Sequence, residues 1–266
     1  MFRPQIRSRH NSHDILRTDL PLLPFRSIVR LGSVTKSDGV NRVECNSIQS
    51  VNNSSDKRLM KECFQKAGVK TAEWIAGKGN TVSTITGWAT ERFPIVAKHI
   101  HGSRGEGNYL IKTAGDLASW FSGKTLNNYI FEKFYSYSRE YRLHITKNGC
   151  FYTCRKMLKE GTPEEQRWFR NDSNCVWIME QNKEFDKPAN WKSIEAECIK
   201  SLKAVGLDIG GFDVKVQSAY DTKDRKRENP EFIIIESNSA CSFGEQTAKH
   251  YITEIPKLLR DKHKNK

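Results

Sequence analysis

Three oxygen-bearing side chains sit where two short apolar runs give out. Glu236 and Asn238 lie two apart in Glu231-Phe-Ile-Ile-Ile-Glu-Ser-Asn238, and Asp213 lies in Gly211-Phe-Asp-Val-Lys-Val-Gln217. Both runs are β-branched or aromatic and bounded by Gly, Pro or Ser, so both read as strands. Side chains repeat every two residues along a strand, which puts Glu236 and Asn238 on one face. Antiparallel pairing across the polar 221–228 loop would bring Asp213 opposite Glu236. Facing carboxylates repel unless a positive charge lies between them. An oxygen-only set suits a hard cation such as Mg²⁺, which takes one or two carboxylates together with phosphate oxygens. The plainer alternative is a buried strand ending in solvated polar residues.

Other residues could handle phosphate. His101-Gly-Ser-Arg-Gly-Glu-Gly107 follows a strand carrying Lys98 and precedes a returning strand, Tyr109–Lys112. Joining strand to strand, and without a Gly-Lys-Ser/Thr ending, it is not a Walker loop. Its glycines still let the backbone fold over a ligand and present N–H groups to oxygens, with Lys98 as a point charge. In the hairpin around Asn148-Gly149, a two-residue turn would pair Lys147 with Cys150, Ile145 with Tyr152 and Arg142 with Arg155. Both guanidiniums would then share a face, with Glu140 and His144 flanking Arg142. Two facing arginines repel unless they are screened or hold an anion such as a phosphoryl group or a carboxylate. Glu132, leaving an apolar strand beside Lys133 and Phe134, could contact an adenine or ribose, or simply pair with a lysine. His144 is a candidate base, with a structural role as the simpler reading.

These residues need elements to position them. Residues 1–26 read as an extended or irregular arm, followed by short strands at Ser27–Gly32 and Arg42–Cys45. The Asn52–Asp56 cluster reads as a helix cap, with Leu59, Met60, Cys63, Phe64 and Ala67 at helical spacing up to Gly68 and Lys57 in the first turn. From Thr71 strands dominate: Phe93–Ile100, Tyr109–Lys112 and Tyr129–Tyr135, with a helix at Ala114–Phe121. After the hairpin, 161–190 reads as an irregular substrate loop. Trp191–Val205 reads as a helix, and a last helix spans Gly244–Arg260, broken or kinked at Pro256.

The chain has 266 residues, enough for one large domain or two small ones, and no run approaches the length of a membrane helix. Seven cysteines without zinc-type spacing imply free thiols and a cytoplasmic setting. The formal charge of +13 gathers at the chain ends and in the 223–227 loop. It fits solvated loops, or attraction to a polyanion such as nucleic acid.

Taken in order, these motifs resemble those of the ATP-grasp enzymes, such as glutathione synthetase and the ribosomal-protein glutamate ligases. The matching pieces are Asp56-Lys57, Phe93-Pro-Ile-Val-Ala-Lys98 with the glycine loop, Phe131-Glu132, Glu140-Tyr-Arg142, Arg155, Trp168-Phe-Arg-Asn171, Gly211-Phe-Asp213 and Glu236-Ser-Asn238. The resemblance implies an α+β, ATP-grasp fold: two α+β lobes with antiparallel sheets gripping ATP. The expected division is a short, reduced N-terminal segment at 1–50 and an ATP-grasp domain at 51–266, with a lid lobe near 71–135 and a C-terminal lobe near 136–266. It implies that Lys57 and Lys98 contact the nucleotide phosphates under a loop of Gly102, Ser103, Arg104, Gly105 and Gly107. Glu132, Lys133 and Phe134 would hold the adenine, with Glu140 near the ribose. Asp213, Glu236 and Asn238 would hold Mg²⁺ or Mn²⁺, and Arg142, Arg155 and Asn171 would stabilise an acyl phosphate. The implied activity is a carboxylate–amine ligase that uses ATP and acts on a small-molecule or peptide carboxylate and an amine. The alternatives are a small-molecule kinase on the same fold, or a ligase acting on a nucleic-acid-associated substrate.

Overall fold

The computed structural model describes residues 1–36, 42–103, 105–222 and 225–266. Its N-terminal part forms β1 (Gln5–Ser8), α1 (Ile15–Asp19), β2 (Ser27–Leu31) and β3 (Val43–Cys45), with the strands parallel in the order β1-β2-β3. The expected loose arm is therefore a folded unit. Ile6, Leu16, Leu20 and Leu23 supply the reason, because they bury against Tyr251, Ile255, Leu258 and Leu259 near the other end of the chain. Such long-range apolar contacts leave no local periodicity to read.

Next come α2 (Ile48–Ser55) and α3 (Lys57–Lys66). The Asn52–Asp56 cluster divides between them. Asn52–Ser55 finish α2, and only Asp56 caps α3, accepting from the Arg58 and Leu59 N–H groups.

The middle of the chain builds β4 (Trp74–Ala76), α4 (Val82–Thr90), β5 (Ile95–His99), β6 (Asn108–Ile111), α5 (Ala114–Phe121) and β7 (Tyr129–Lys133). The strands form an antiparallel sheet in the order β4-β7-β5-β6, with Ile85 of α4 and Leu117 and Trp120 of α5 in its core. Helix α4 was not expected, since Val82, Thr84, Ile85 and Thr86 favour strand. The Thr81 hydroxyl caps it, and Ile85 and Ala89, one turn apart, bury on one side.

The last part builds β8 (Arg139–Thr146), β9 (Gly149–Leu158), β10 (Cys175–Met179), α6 (Trp191–Val205), β11 (Ile209–Val216), β12 (Phe232–Asn238) and α7 (Glu245–Lys264). An antiparallel sheet runs β10-β9-β8-β11-β12, with Ile194, Cys198, Leu202 and Val205 of α6 packed on Tyr141, Leu143, Phe212 and Val214. The expected irregular stretch thus contains an edge strand, β10. Helix α7 continues through Pro256 to Lys264 instead of ending at Arg260. Proline forfeits one backbone bond, but apolar burial on both sides of it, at Tyr251, Ile255, Leu258 and Leu259, carries the helix onward.

The β8–β9 register corrects an expectation that bears on the site. The turn residues are Lys147 and Asn148, with Thr146 paired to Gly149, and a bulge follows at His144/Ile145. Arg142 therefore pairs with Cys154, and Tyr141 with Arg155. A one-residue offset exchanges the faces of a strand. Arg142 and Arg155 point to opposite sides, and Lys156 takes the place beside Glu140.

Asn46 joins the N-terminal sheet to β11. Its side chain donates to the Arg30 and Ile209 carbonyls at 3.1 and 3.0 Å and accepts from the Asp208 and Ile209 N–H groups at 2.8 and 3.2 Å. Asn46→Ala strands these buried backbone groups and is expected to cost about 2–4 kcal/mol in chemical denaturation. A loss below about 0.5 kcal/mol would show that the joint does not depend on this side chain.

Candidate active site

The face of the five-stranded sheet that α6 leaves open carries two rows of charge. One row runs across the strands as Cys154, Arg142, Asp213 and Glu236, and the next as Trp177, Lys156, Glu140, Lys215 and Ile233. Asp213 lies opposite Glu236, as the strand pattern required, and a bulge just after this pair absorbs Ile235. Opposite stands the four-stranded sheet, contributing Val96, Lys98, Glu132 and Phe134. Between the two lies a cleft of about 750 Å³.

The charges form two buried networks. Arg142 grips Asp213 with two hydrogen bonds, Nε to Oδ1 at 2.7 Å and Nη2 to Oδ2 at 2.9 Å. Lys156 Nζ donates to Asp213 Oδ2 at 2.8 Å and to Glu140 Oε1 at 2.9 Å, and Arg170 lies 3.8 Å from Glu140 Oε2. Burial opposes the charge on Asp213, but Arg142 and Lys156 outweigh it and hold the carboxyl far below its usual range. In the second network Glu132 sits between Lys98 at 2.6 Å and Lys61 at 3.0 Å. Burial again opposes the charge, and the two ammonium groups pull the Glu132 carboxyl down to about 2.

Lys57 connects the glycine loop to this chemistry. Its ammonium donates to the Gly102 carbonyl and lies 3.1 Å from Glu236 Oε1, while its backbone N–H donates to the Ile100 carbonyl. Gly102 and Gly107 are needed for the fold of the loop. A Cβ on Gly102 would meet the Glu106 carbonyl at 2.4 Å, and Gly107 has a φ of +71° against the His99 side chain. Above the cleft, Gly105 comes close to Phe169 and Asn171, so loops from the two sheets meet.

Most of the expected residues meet in this one cleft: Lys57, Lys98, Gly102, Ser103, Gly105, Glu132, Lys133, Phe134, Glu140, Arg142, Asn171, Asp213, Glu236 and Asn238. Arg104 lies outside the described residues. Gly107 turns the loop back without lining the cleft. Arg155 does not belong to it: its guanidinium donates to the Glu184 carbonyl at 2.6 Å and faces Asp186 on the far side of the sheet. The carboxylate of Glu132 faces Lys61 and Lys98 rather than an open adenine site. The Lys133 ammonium reaches Glu73 at 3.3 Å. Glu140 is held by Lys156 and Arg170. His144 is buried with its Nδ1 3.1 Å from the Tyr251 hydroxyl, and burial together with the nearby Arg142 charge lowers it to about 3.

Lys61, Lys156, Arg170, Trp177 and Lys215 join these networks without having been expected as site residues. Trp177 lies under two of the cations, with its ring centre 5.0 Å from the Arg142 guanidinium and 5.4 Å from Lys156 Nζ. Lys61, one turn after Lys57, was legible from helical spacing. Lys215, two residues after Asp213, was legible from strand spacing. Lys156 was hidden by the turn offset.

Asp213, Glu236 and Asn238 fit a hard cation by donor type, since all three offer oxygen. Asn238 Nδ2 is buried without a hydrogen-bond partner, so the amide can turn over without losing a bond there. Among the described residues no three His, Cys, Asp or Glu side chains form a ready cluster, so such an ion would need further oxygens from a ligand.

No protein-family model and no curated protein matches the chain. Solved structures do. D-alanine–D-alanine ligase from Bacillus anthracis aligns over 99% of each chain with a TM-score of 0.65 and 13% identity. Biotin carboxylase from Campylobacter jejuni, in its β,γ-ATP complex, aligns over 93% of this chain and 55% of its own, with a TM-score of 0.62 and 17% identity. The ATP-grasp ligase PsnB, bound to its precursor peptide and AMPPNP, aligns over 82% of this chain and 63% of its own, with a TM-score of 0.56 and 14% identity. The chain thus spans between half and two thirds of the last two and nearly all of the first. With two α+β units whose antiparallel sheets face each other across a charged cleft, and with these neighbours, the chain has the ATP-grasp fold.

Proposed function

We propose that this chain is an ATP-dependent carboxylate–amine ligase that works through an acyl phosphate and releases ADP and phosphate. The observation that carries this reading is the convergence of Lys57, Lys98, Arg142 and Lys156 with Asp213 and Glu236 in one cleft between two sheets. Four cations around two facing carboxylates suit a polyphosphate. The named ligase neighbours of the same fold support the reaction class. A lid lobe at about 71–135 and a C-terminal lobe at about 136–266 would grip the nucleotide, with residues 1–50 as a reduced N-terminal segment.

Each residue has a task. Lys98 and Lys57 would hold nucleotide phosphates beneath the backbone of the 102–107 loop. The substrate carboxylate oxygen attacks the γ-phosphorus, and the bond to the β-phosphate oxygen breaks, releasing ADP. Arg142 and Lys156 would neutralise the charge of the moving phosphoryl group and steady the acyl phosphate after transfer, together with Asn171. The amine nitrogen then attacks the acyl carbon, the carbon–oxygen bond to phosphate breaks, and the amine gives its proton to solvent. Catalysis of this kind rests on position and charge neutralisation, and needs no covalent nucleophile on the protein. Asp213, Glu236 and Asn238 would hold Mg²⁺ or Mn²⁺, which when bound neutralises phosphate charge.

Three tests, with four substitutions between them, probe the reading. Incubation with Mg-ATP and a small-molecule extract should yield ADP and a product lighter than its parents' sum by one water. Glu236→Gln keeps the shape, removes one charge, and should lower that turnover at least ~100-fold with unchanged thermal unfolding. Wild-type turnover in this variant would sink the metal assignment, a phosphorylated product would point to a kinase, and AMP would contradict the acyl-phosphate route. Lys98→Ala should raise the nucleotide Kd about tenfold in calorimetric titration, and unchanged affinity would count against the phosphate role. The corrected register yields the third test. Lys156→Met should abolish turnover while Arg155→Ala retains most of it, and the reverse pattern would restore Arg155 to the site.

A further inference from the structure

Past Asn238 the cleft gains a third wall from the N-terminal unit, where Arg9, His10 and Gly32 line it together with residues 239–242. The two sides of this corner are fastened to each other. His13 Nε2 lies 2.7 Å from the Cys241 carbonyl oxygen, and the Phe243 N–H donates to the Ser12 hydroxyl at 2.9 Å. Gly32 stands at the joint with a φ of +74°. A Cβ there would meet Ala240 Cβ at 2.7 Å and the Cβ and Cδ of Arg9 at 3.8 and 3.9 Å. The missing side chain lets the two segments close up, so the stem of Arg9 runs beside Ala240, the neighbour of Ser239. Two polar groups in this corner lack partners. Among the described residues, every other lysine and arginine of the cleft has a hydrogen bond or an ion pair, and the Arg9 guanidinium has neither. Ser239 is only 6% exposed and lines the cleft, and its hydroxyl makes no hydrogen bond among those residues. A hydroxyl shut away in this manner is costly until something accepts from it.

We propose that Arg9 and Ser239 hold a substrate carboxylate that does not react, so that the chain ligates a compound bearing one free carboxylate besides the groups being joined. An amino acid or a dicarboxylic acid would supply it. This deepens, and rests on, the ligase reading given above. A guanidinium fork matches both oxygens of a carboxylate in one plane, and the hydroxyl adds a further donor. The reacting carboxylate must keep an oxygen free for the γ-phosphorus, and a fork closed on both of its oxygens would tie that atom down. The clamp therefore suits a second carboxylate. Ser239 follows Asn238 directly, which sets the clamp beside the candidate cation site, whereas Lys98 and the glycine loop belong to the four-stranded sheet.

Saturation-transfer NMR on the full chain loaded with Mg-AMPPNP tests this with three mixtures. The first holds the twenty protein amino acids, the second succinate and glutarate, and the third the same compounds with every carboxylate amidated. Signal should come from the first or the second mixture and not from the third. A signal in the first places the clamped group on an amino acid, and a signal in the second places it on a plain diacid. Arg9→Ala should weaken that binding at least ~10-fold and Ser239→Ala should weaken it less, while AMPPNP affinity and thermal unfolding stay as in the wild type. Arg9→Lys, which keeps the charge and loses the fork, should recover part of the loss. Equal binding by Arg9→Ala overturns the assignment, as does equal binding of the amides. So does silence from all three mixtures when AMPPNP binds. Loss of AMPPNP affinity in Arg9→Ala would hand this side chain to the nucleotide and overturn it too. If the wild type does not bind AMPPNP, the reading of the cleft itself falls.

Discussion

Everything in the cleft depends on the bidentate pair between Arg142 and Asp213. A carboxylate on an inner strand of a sheet, facing another carboxylate, is unfavourable unless it is neutralised. Arg142 neutralises it from one side and Lys156 from the next row, and Lys156 in turn secures Glu140. Buried pairs like these repay their desolvation only when the geometry is good and the remaining lone pairs are satisfied. Here they tie β9, β8 and β11 together at the level where the cleft opens, so the charge pattern and the sheet register enforce one another.

The same economy of means operates across the cleft. Glu132 is shared by Lys61 from α3 and Lys98 from β5, which joins a helix to the four-stranded sheet through one carboxylate. Lys57, one turn earlier on α3, reaches the glycine loop and Glu236 of β12. A single amphipathic helix thus carries cations to both units, and its apolar side, with Met60 and Phe64, is anchored in the core beneath the five-stranded sheet.

Much of this was legible in the sequence where periodicity is strict and local. The Asp213–Glu236 facing pair follows from two alternating strands, and α6 from its apolar stripe and closing Gly206. The misreadings share a cause, because each depends on something outside the local window. The N-terminal unit shares its core with α7, far along the chain. Helix α4 overrides strand propensity through burial of Ile85 and Ala89. The β9 register turned on whether Asn148-Gly149 or Lys147-Asn148 occupies the turn, a choice settled by the bulge and by the bonds of Arg142 and Lys156 rather than by turn preference. Gly149 still adopts a φ of +132°, open to glycine and awkward for other residues, but inside the strand end.

That bulge also gives the hairpin a kind of insurance. Arg155 and Lys156 are consecutive cations on a strand whose two faces alternate, so one of them always points into the cleft whichever way the parity falls. Gain of one residue in the turn would set Arg155 opposite Glu140, trading an ammonium for a guanidinium, whereas loss of one would set Met157 there. An insertion in this exposed turn can therefore change the shape of the cleft-facing cation opposite Glu140 while preserving its sign, and a deletion cannot.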